Sequence, residues 1–316
     1  NSVAGNTVLG ENALDASVSG DKNTAIGFES LSTNTSGADN TGVGRRSLVD
    51  NTTGSNNTGL GSFALGNNTT GGSNTAVGQG CLDANTTASN NTAVGKDALG
   101  SNITGTQNVA LGSNALDANT TANNNTAVGY QALTANTSAN DNTAVGHNCL
   151  AKNTTGTANT GVGRGVLVEN TTASNNTGVG YFALVNNTTG TANVAVGTNA
   201  LDANTTANDN TAVGVSSLGA NTSGASNTGI GRSALKENTS GGSNVAVGAF
   251  ALDANTTADF NTAVGRSALT TNTTGQTNTA TGYEALKSNT TASNNTAFGC
   301  QALKENTTGT QNTAVG

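Results

Sequence analysis

The amino-acid sequence predicts an all-β chain, a parallel β-solenoid (β-roll) of 17-residue coils. Three observations carry that reading. An Asn recurs at positions 6, 23, 40, 57 and onward every seventeen residues to Asn312, without one insertion or deletion. Each Asn opens the same phrase, as in "NTAVGYQALTANTSAND" from Asn125 to Asp141. The chain also has 43 glycines and no proline, methionine or tryptophan. Seventeen residues is too short for a helical hairpin repeat and fits one turn of a β-solenoid.

Eighteen complete coils run from 6 to 311, with partial coils at both ends, and residues 1–316 read as one continuous solenoid. The partial coils suggest an excerpt of a longer fibre. Numbering each coil 1 to 17 from its Asn gives the consensus N-T-A-V-G-x-x-A-L-x-x-N-T-T-G-x-x. Positions 2 to 4 are β-compatible and form the strand. Position 5 is always Gly (Gly129, Gly146), as expected of a corner with positive φ or close backbone approach. Position 9 is always Leu (Leu133, Leu150) and belongs to the core. With the aliphatic residue at position 4, that gives two sizeable apolar side chains per coil. Each coil then contributes only a few kcal/mol at roughly 25 cal/mol per Å², so stability accumulates along the stack. Position 1 (Asn125, Asn142, Asn159) and position 12 (Asn136, Asn153) predict amide ladders running from coil to coil. At about 4.8 Å per coil the rod would be on the order of 85 Å long.

Alternate strand residues face opposite sides. Positions 2 and 4 share one face, positions 3 and 5 the other, and both are restricted in composition. That double restriction predicts a second buried surface supplied by neighbouring chains, the alternative being that small residues at 3 and 8 only satisfy a narrow coil.

The repeated phrase carries a family likeness. "NVAVG" (Asn193 to Gly197) and "NTAVG" resemble the head repeats of YadA-like trimeric autotransporter adhesins, and "NTAVGYQAL" (Asn125 to Leu133) resembles repeats of phage and bacterial tail-fibre proteins. The resemblance implies a left-handed β-roll, association of three chains, and an extracellular, cell-surface or virion location. This coil is longer than the family's usual repeat, so its second turn must differ.

Composition narrows the function classes. A net charge of −7 and a pI near 4.5 disfavour nucleic acid, which needs clustered Lys and Arg. There is no run of 18 apolar residues to span a bilayer. Catalysis has little to stand on, and no enzyme activity and no cofactor is expected. His147 is the only histidine, Cys81 and Cys149 stand four coils apart at position 8, and Cys300 is at position 6. Metal-ligand spacing is absent.

Two features could carry binding. All five arginines (Arg45, Arg46, Arg164, Arg232, Arg266) and seven of nine aromatics (Phe28, Phe63, Tyr130, Tyr181, Phe182, Phe250, Tyr283) stand at positions 6 and 7, a candidate contact ridge of the residue types enriched in interface hot spots. The alternatives are a corner that tolerates large residues, or packing on a neighbouring chain. Asn-x-Thr/Ser at positions 12 to 14 is formally a glycosylation sequon in seventeen coils, from Asn34 to Asn306.

The expected function is a structural fibre or stalk, adhesin-like or tail-fibre-like, that spaces and presents a tip and contacts a glycan or protein receptor. Its expected partners are two further copies in a homotrimer, or many in a filament. The alternatives are an ice-binding solenoid with Thr columns and a self-assembling extracellular filament.

Overall fold

The computed structural model describes residues 5–16 and 18–316. The chain packs as two compact units, 1–158 and 159–316, divided at a repeat boundary. Unit 1 contains strands β1 (Thr7–Leu9) to β9 (Thr143–Val145), and unit 2 contains β10 (Thr160–Val162) to β19 (Thr313–Val315). Each unit is a parallel β-solenoid, with three-residue strands spaced seventeen residues apart and paired with identical positions in the next coil. Thr126, Ala127 and Val128 face Thr143, Ala144 and Val145, and Thr211, Ala212 and Val213 face Thr228, Gly229 and Ile230.

Strand length is set by position 5. Gly129 has φ +132°, and a Cβ there would lie 2.5 Å from the Gly146 carbonyl oxygen of the next coil. An L-residue therefore fails twice, on dihedral and on space. Beyond the glycine the chain bends through two turns, closed by Ala132 N–H to Gly129 O (3.3 Å) and Asn136 N–H to Leu133 O (3.1 Å).

These turns use left-handed backbone at non-glycine residues. Gln131, Leu133 and Asp141 have φ of 53°, 52° and 61°, and positions 7, 9 and 17 do the same along the chain. A leucine in this region is unusual and costs on the order of 1–3 kcal/mol. Full burial of its side chain offsets that cost, as does the bond from Leu133 N–H to Cys149 O at 3.0 Å in the next coil.

The core differs from the sequence expectation in one respect. From β2 to β18 the middle strand residue, position 3, is buried, whereas positions 2 and 4 flank it half-buried or exposed. Leu111 is 46% exposed and Ile230 40%. The position-4 aliphatics thus lie on the outer face, and the core consists of the position-9 leucines such as Leu133, the small residues at 3 and 8, and both Asn columns.

Within each unit the small residues at 3 and 8 satisfy one another. Position 8 of one coil packs beneath position 3 of the next, twelve residues on. Where position 8 is Ser30, Ser47 or Ser217, the residue twelve further on is Gly42, Gly59 or Gly229, and each hydroxyl donates to that glycine's carbonyl at 2.8–3.0 Å. A Cβ on Gly42 would lie 2.6 Å from Ser30 Oγ. Val166 makes the same demand of Gly178, whose added Cβ would meet Cγ1 at 2.5 Å. Cys81 is accommodated above Ala93, to whose carbonyl its Sγ donates at 3.1 Å. Restriction on the inner face therefore follows from the narrow coil itself. Only the restriction at positions 2 and 4 is left without an explanation inside the chain.

Both Asn columns are ladders. Asn125 Nδ2 and Asn136 Nδ2 converge on the Ala139 carbonyl at 2.9 and 3.0 Å, joining position 1, position 12 and position 15 of one coil. Asn142 N–H donates to Asn125 Oδ1 (3.0 Å) and Asn153 Nδ2 to Asn136 Oδ1 (3.0 Å), linking each column to the next coil. Unit 2 repeats the device, with Asn159 and Asn170 meeting at the Ala173 carbonyl. Position 15 is only ever Gly or Ala because it sits in this crowded junction.

Candidate functional site

The corner after each glycine is the place where the chain varies most in size and charge. Because coils stack in register within each unit, the side chains of positions 6 and 7 form a column there. In unit 1, Arg45 and Arg46 lie over the Phe63 ring of the following coil, at 5.1 and 5.9 Å from guanidinium carbon to ring centroid. In unit 2, Arg164 lies over Tyr181 and Phe182 (both 5.6 Å), Arg232 over Phe250 (5.4 Å) and Arg266 over Tyr283 (5.9 Å). Every arginine thus stands within cation–π range of an aromatic ring seventeen or eighteen residues later. Tyr130 and His147 stack in the same manner, ring centroids 5.4 Å apart. Phe28 occupies the same column and is 38% exposed.

The two kinds of cation are handled differently. Lys22, Lys96, Lys236, Lys287 and Lys304 each pair with a carboxylate. Glu284 receives two of them, Lys287 at 2.7 Å and Lys304 at 2.9 Å, with Gln301 Nε2 at 3.1 Å. Those donors, Lys287 foremost, hold its carboxyl down at about 2. Among the arginines only Arg46 is ion-paired within the described residues, its Nε 2.6 Å from Glu29.

Two shallow clefts adjoin this corner, one in each unit and in the same register. One, about 300 Å³, is lined by Arg46, Asp50, Phe63, Gly66, Asn67 and Asp83. The other, about 250 Å³, is lined by Asn199, Asp202, Ser216, Gly219, Lys236 and Glu237. In both, a glycine at position 10 of the middle coil opens the space. Asp83 is pushed above the ordinary carboxylate value by burial first and by the neighbouring Asp50 and Asp97 charges second; Asp202 is raised by burial. The sequence reading missed these clefts, although the isolated glycines Gly66 and Gly219 in a freely varying position were the visible signal.

The other expected features resolve individually. Asn residues of the position-12 column from Asn34 to Asn289 are buried and bonded into the ladder, so the folded coil offers their amide nitrogens no path to a glycan. The position-13 threonines also turn to the backbone, as Thr52 Oγ1 does to Thr69 O at 3.0 Å. Cys81 and Cys149 are buried, and burial pushes both thiols up to about 12, whereas Cys300 is exposed. Among the described residues no helix is long and apolar enough to cross a membrane. Comparison with protein-family models and with curated proteins finds no match to this chain.

Proposed function

We propose that the chain is a spacer segment of an extracellular fibre, in which copies associate through the outer faces of their strands. The observation that carries this reading is the composition of that face. Position 2 is Thr or Val and position 4 is Val, Leu, Ile, Thr or Phe in all nineteen strands, with no charge at either. A solvated strand face has no reason to exclude Lys and Glu nineteen times. In a chain of net charge −7 it is also the surface on which two copies can meet without opposing carboxylates. The likeness of "NTAVGYQAL" to adhesin and tail-fibre repeats supports a trimer, with the position 6–7 corner left outward for contact with a host or cell surface.

A second reading uses the same face. Thr at position 2 beside an aliphatic residue at position 4, repeated at about 4.8 Å along the stack, is a regular half-apolar array of the kind that could bind ice. The two uses exclude each other, since a face covered by a neighbouring chain cannot meet a crystal. Native mass measurement together with thermal hysteresis separates them. A trimer without hysteresis supports the spacer, a monomer with hysteresis supports ice binding, and a monomer without hysteresis removes both. An open-ended distribution of masses would indicate a filament built on the same contact.

A further inference from the structure

We propose that the arginine–aromatic pairs at positions 6 and 7 are binding points for the anionic groups of an acidic polysaccharide. The inference rests on the spacer reading in one respect: the corner must stay outward when the strand faces pack.

Three observations point to an anionic ligand. Arg45, Arg164, Arg232 and Arg266 are exposed and form no ion pair among the described residues, although the sequence holds 18 carboxylates. Lys22, Lys96 and Lys236 pair with the acidic residue next to them in sequence, a neighbour that none of these arginines has. Each of these arginines is instead held on a ring of the following coil, at 5.1–5.9 Å. Arg164 is fixed further by Nη1 donating to the Tyr181 hydroxyl at 3.2 Å. Holding the guanidinium against a ring restricts the side chain while the N–H groups that point away from the ring stay available. Such groups form a planar fork matched to a carboxylate or sulfate. Immobilising the side chain beforehand also reduces the ordering cost of binding.

Spacing selects the polymer. Within unit 2 the platforms stand four coils apart (Arg164 to Arg232) and two coils apart (Arg232 to Arg266), which is roughly 19 and 10 Å at about 4.8 Å per coil. Nucleic acid carries a charge about every 3.4 Å along each strand, far denser than these platforms can match, and the net charge of −7 opposes it. An anionic membrane recruits clusters of basic residues, which are absent here. A chain of sugars bearing separated carboxylates or sulfates meets the platforms one group at a time. The exposed rings beside them, such as Tyr181 and Tyr283 (42% and 41% exposed), give the sugar faces an apolar surface.

The test uses the full chain with polygalacturonate (carboxylate), dextran sulfate (sulfate), neutral dextran and a single-stranded oligonucleotide, measured by biolayer interferometry at low salt. The wild-type chain is expected to bind one or both acidic polysaccharides and neither neutral dextran nor, comparably, the oligonucleotide. The quadruple variant R45K/R164K/R232K/R266K keeps every charge but loses the fork and much of the stacking. It is expected to bind at least about tenfold more weakly, with unchanged circular dichroism. No binding by the wild type, equal binding by the lysine variant, or comparable binding of the oligonucleotide overturns the inference. Native mass measured on the same samples keeps the two readings apart. Absence of binding by an intact wild-type oligomer sinks only this inference, and binding by a wild-type monomer sinks only the spacer assembly.

Discussion

Each coil has a part that hardly changes and a part that changes at every step. At the junction of positions 1, 12 and 15, two asparagines share one carbonyl, and each amide is bonded into the coil before or after it. At the corner of positions 6 and 7 the residue runs from Gly80 and Ser62 to Arg46 and Phe182. Both parts recur every seventeen residues, so recurrence alone does not create constraint. The difference lies in what a substitution leaves unsatisfied. A lost amide at the junction strands buried donors and acceptors in three coils, whereas a lost side chain at the corner exposes a little more of one turn to water.

Four measurements would break or sharpen that contrast. The largest effect is expected for Asn68→Asp. Asn68 donates to Asn51 Oδ1 (2.8 Å) and Gly71 O (3.0 Å) and accepts from Asn85 (2.8 Å), so a carboxylate would keep the acceptor and lose both donations. Urea unfolding at neutral pH should show a loss of about 3–5 kcal/mol, the range for an uncompensated buried charge. The loss should shrink in acid as the carboxyl takes up a proton.

Next is Gly178→Ala, which drives a methyl into Val166. Overpacking of this kind costs about 1–3 kcal/mol. Val166→Ala in the same chain should return most of it, and failure of that rescue would show that position 3 is restricted for some other reason.

A smaller effect, of opposite sign, is expected for Asp83→Asn. Its carboxyl is raised from 3.8 by burial and by Asp50 and Asp97, so folding favours the protonated form. The stability that proton contributes is complete below pH 3.8 and is lost as pH rises through the raised value. The variant should therefore be more stable than wild type at pH 7 and equal to it at pH 3. A gain that persists at pH 3 would point away from charge.

The smallest effect is expected at the corner itself. Tyr130→Ser should change stability by no more than about 0.5 kcal/mol. A larger loss would place the stacked Tyr130–His147 pair among the elements that hold the coil together.

Much of this contrast is legible in the amino-acid sequence alone. The period, the strand at positions 2–4, the glycine corner, the buried Leu133 and both Asn ladders follow from copies of one phrase compared within one chain. The side on which position 4 lies was not legible. A three-residue strand offers one alternation, and Thr126-Ala127-Val128 reads equally well with either face inward; the small inner residue won because the coil is narrow. Left-handed backbone at Leu133 was hidden for a different reason, since nothing in a leucine announces positive φ and only its burial sustains it. The arginine–aromatic pairs were visible as a shared column. Their pairing across successive coils needed the stacking direction, which the 8-to-3 contacts supply.

Those same contacts bear on how such a chain can lengthen. A serine or valine at position 8 requires a glycine twelve residues later, so the pair is split by any break falling between them, including one at the conspicuous Asn. A break between position 3 and position 8 of one coil keeps Val166 with Gly178 and Ser30 with Gly42. The heritable module of this chain is therefore offset from the written repeat. It begins within one phrase and ends within the next, and duplications cut on that frame add length without creating a misfit.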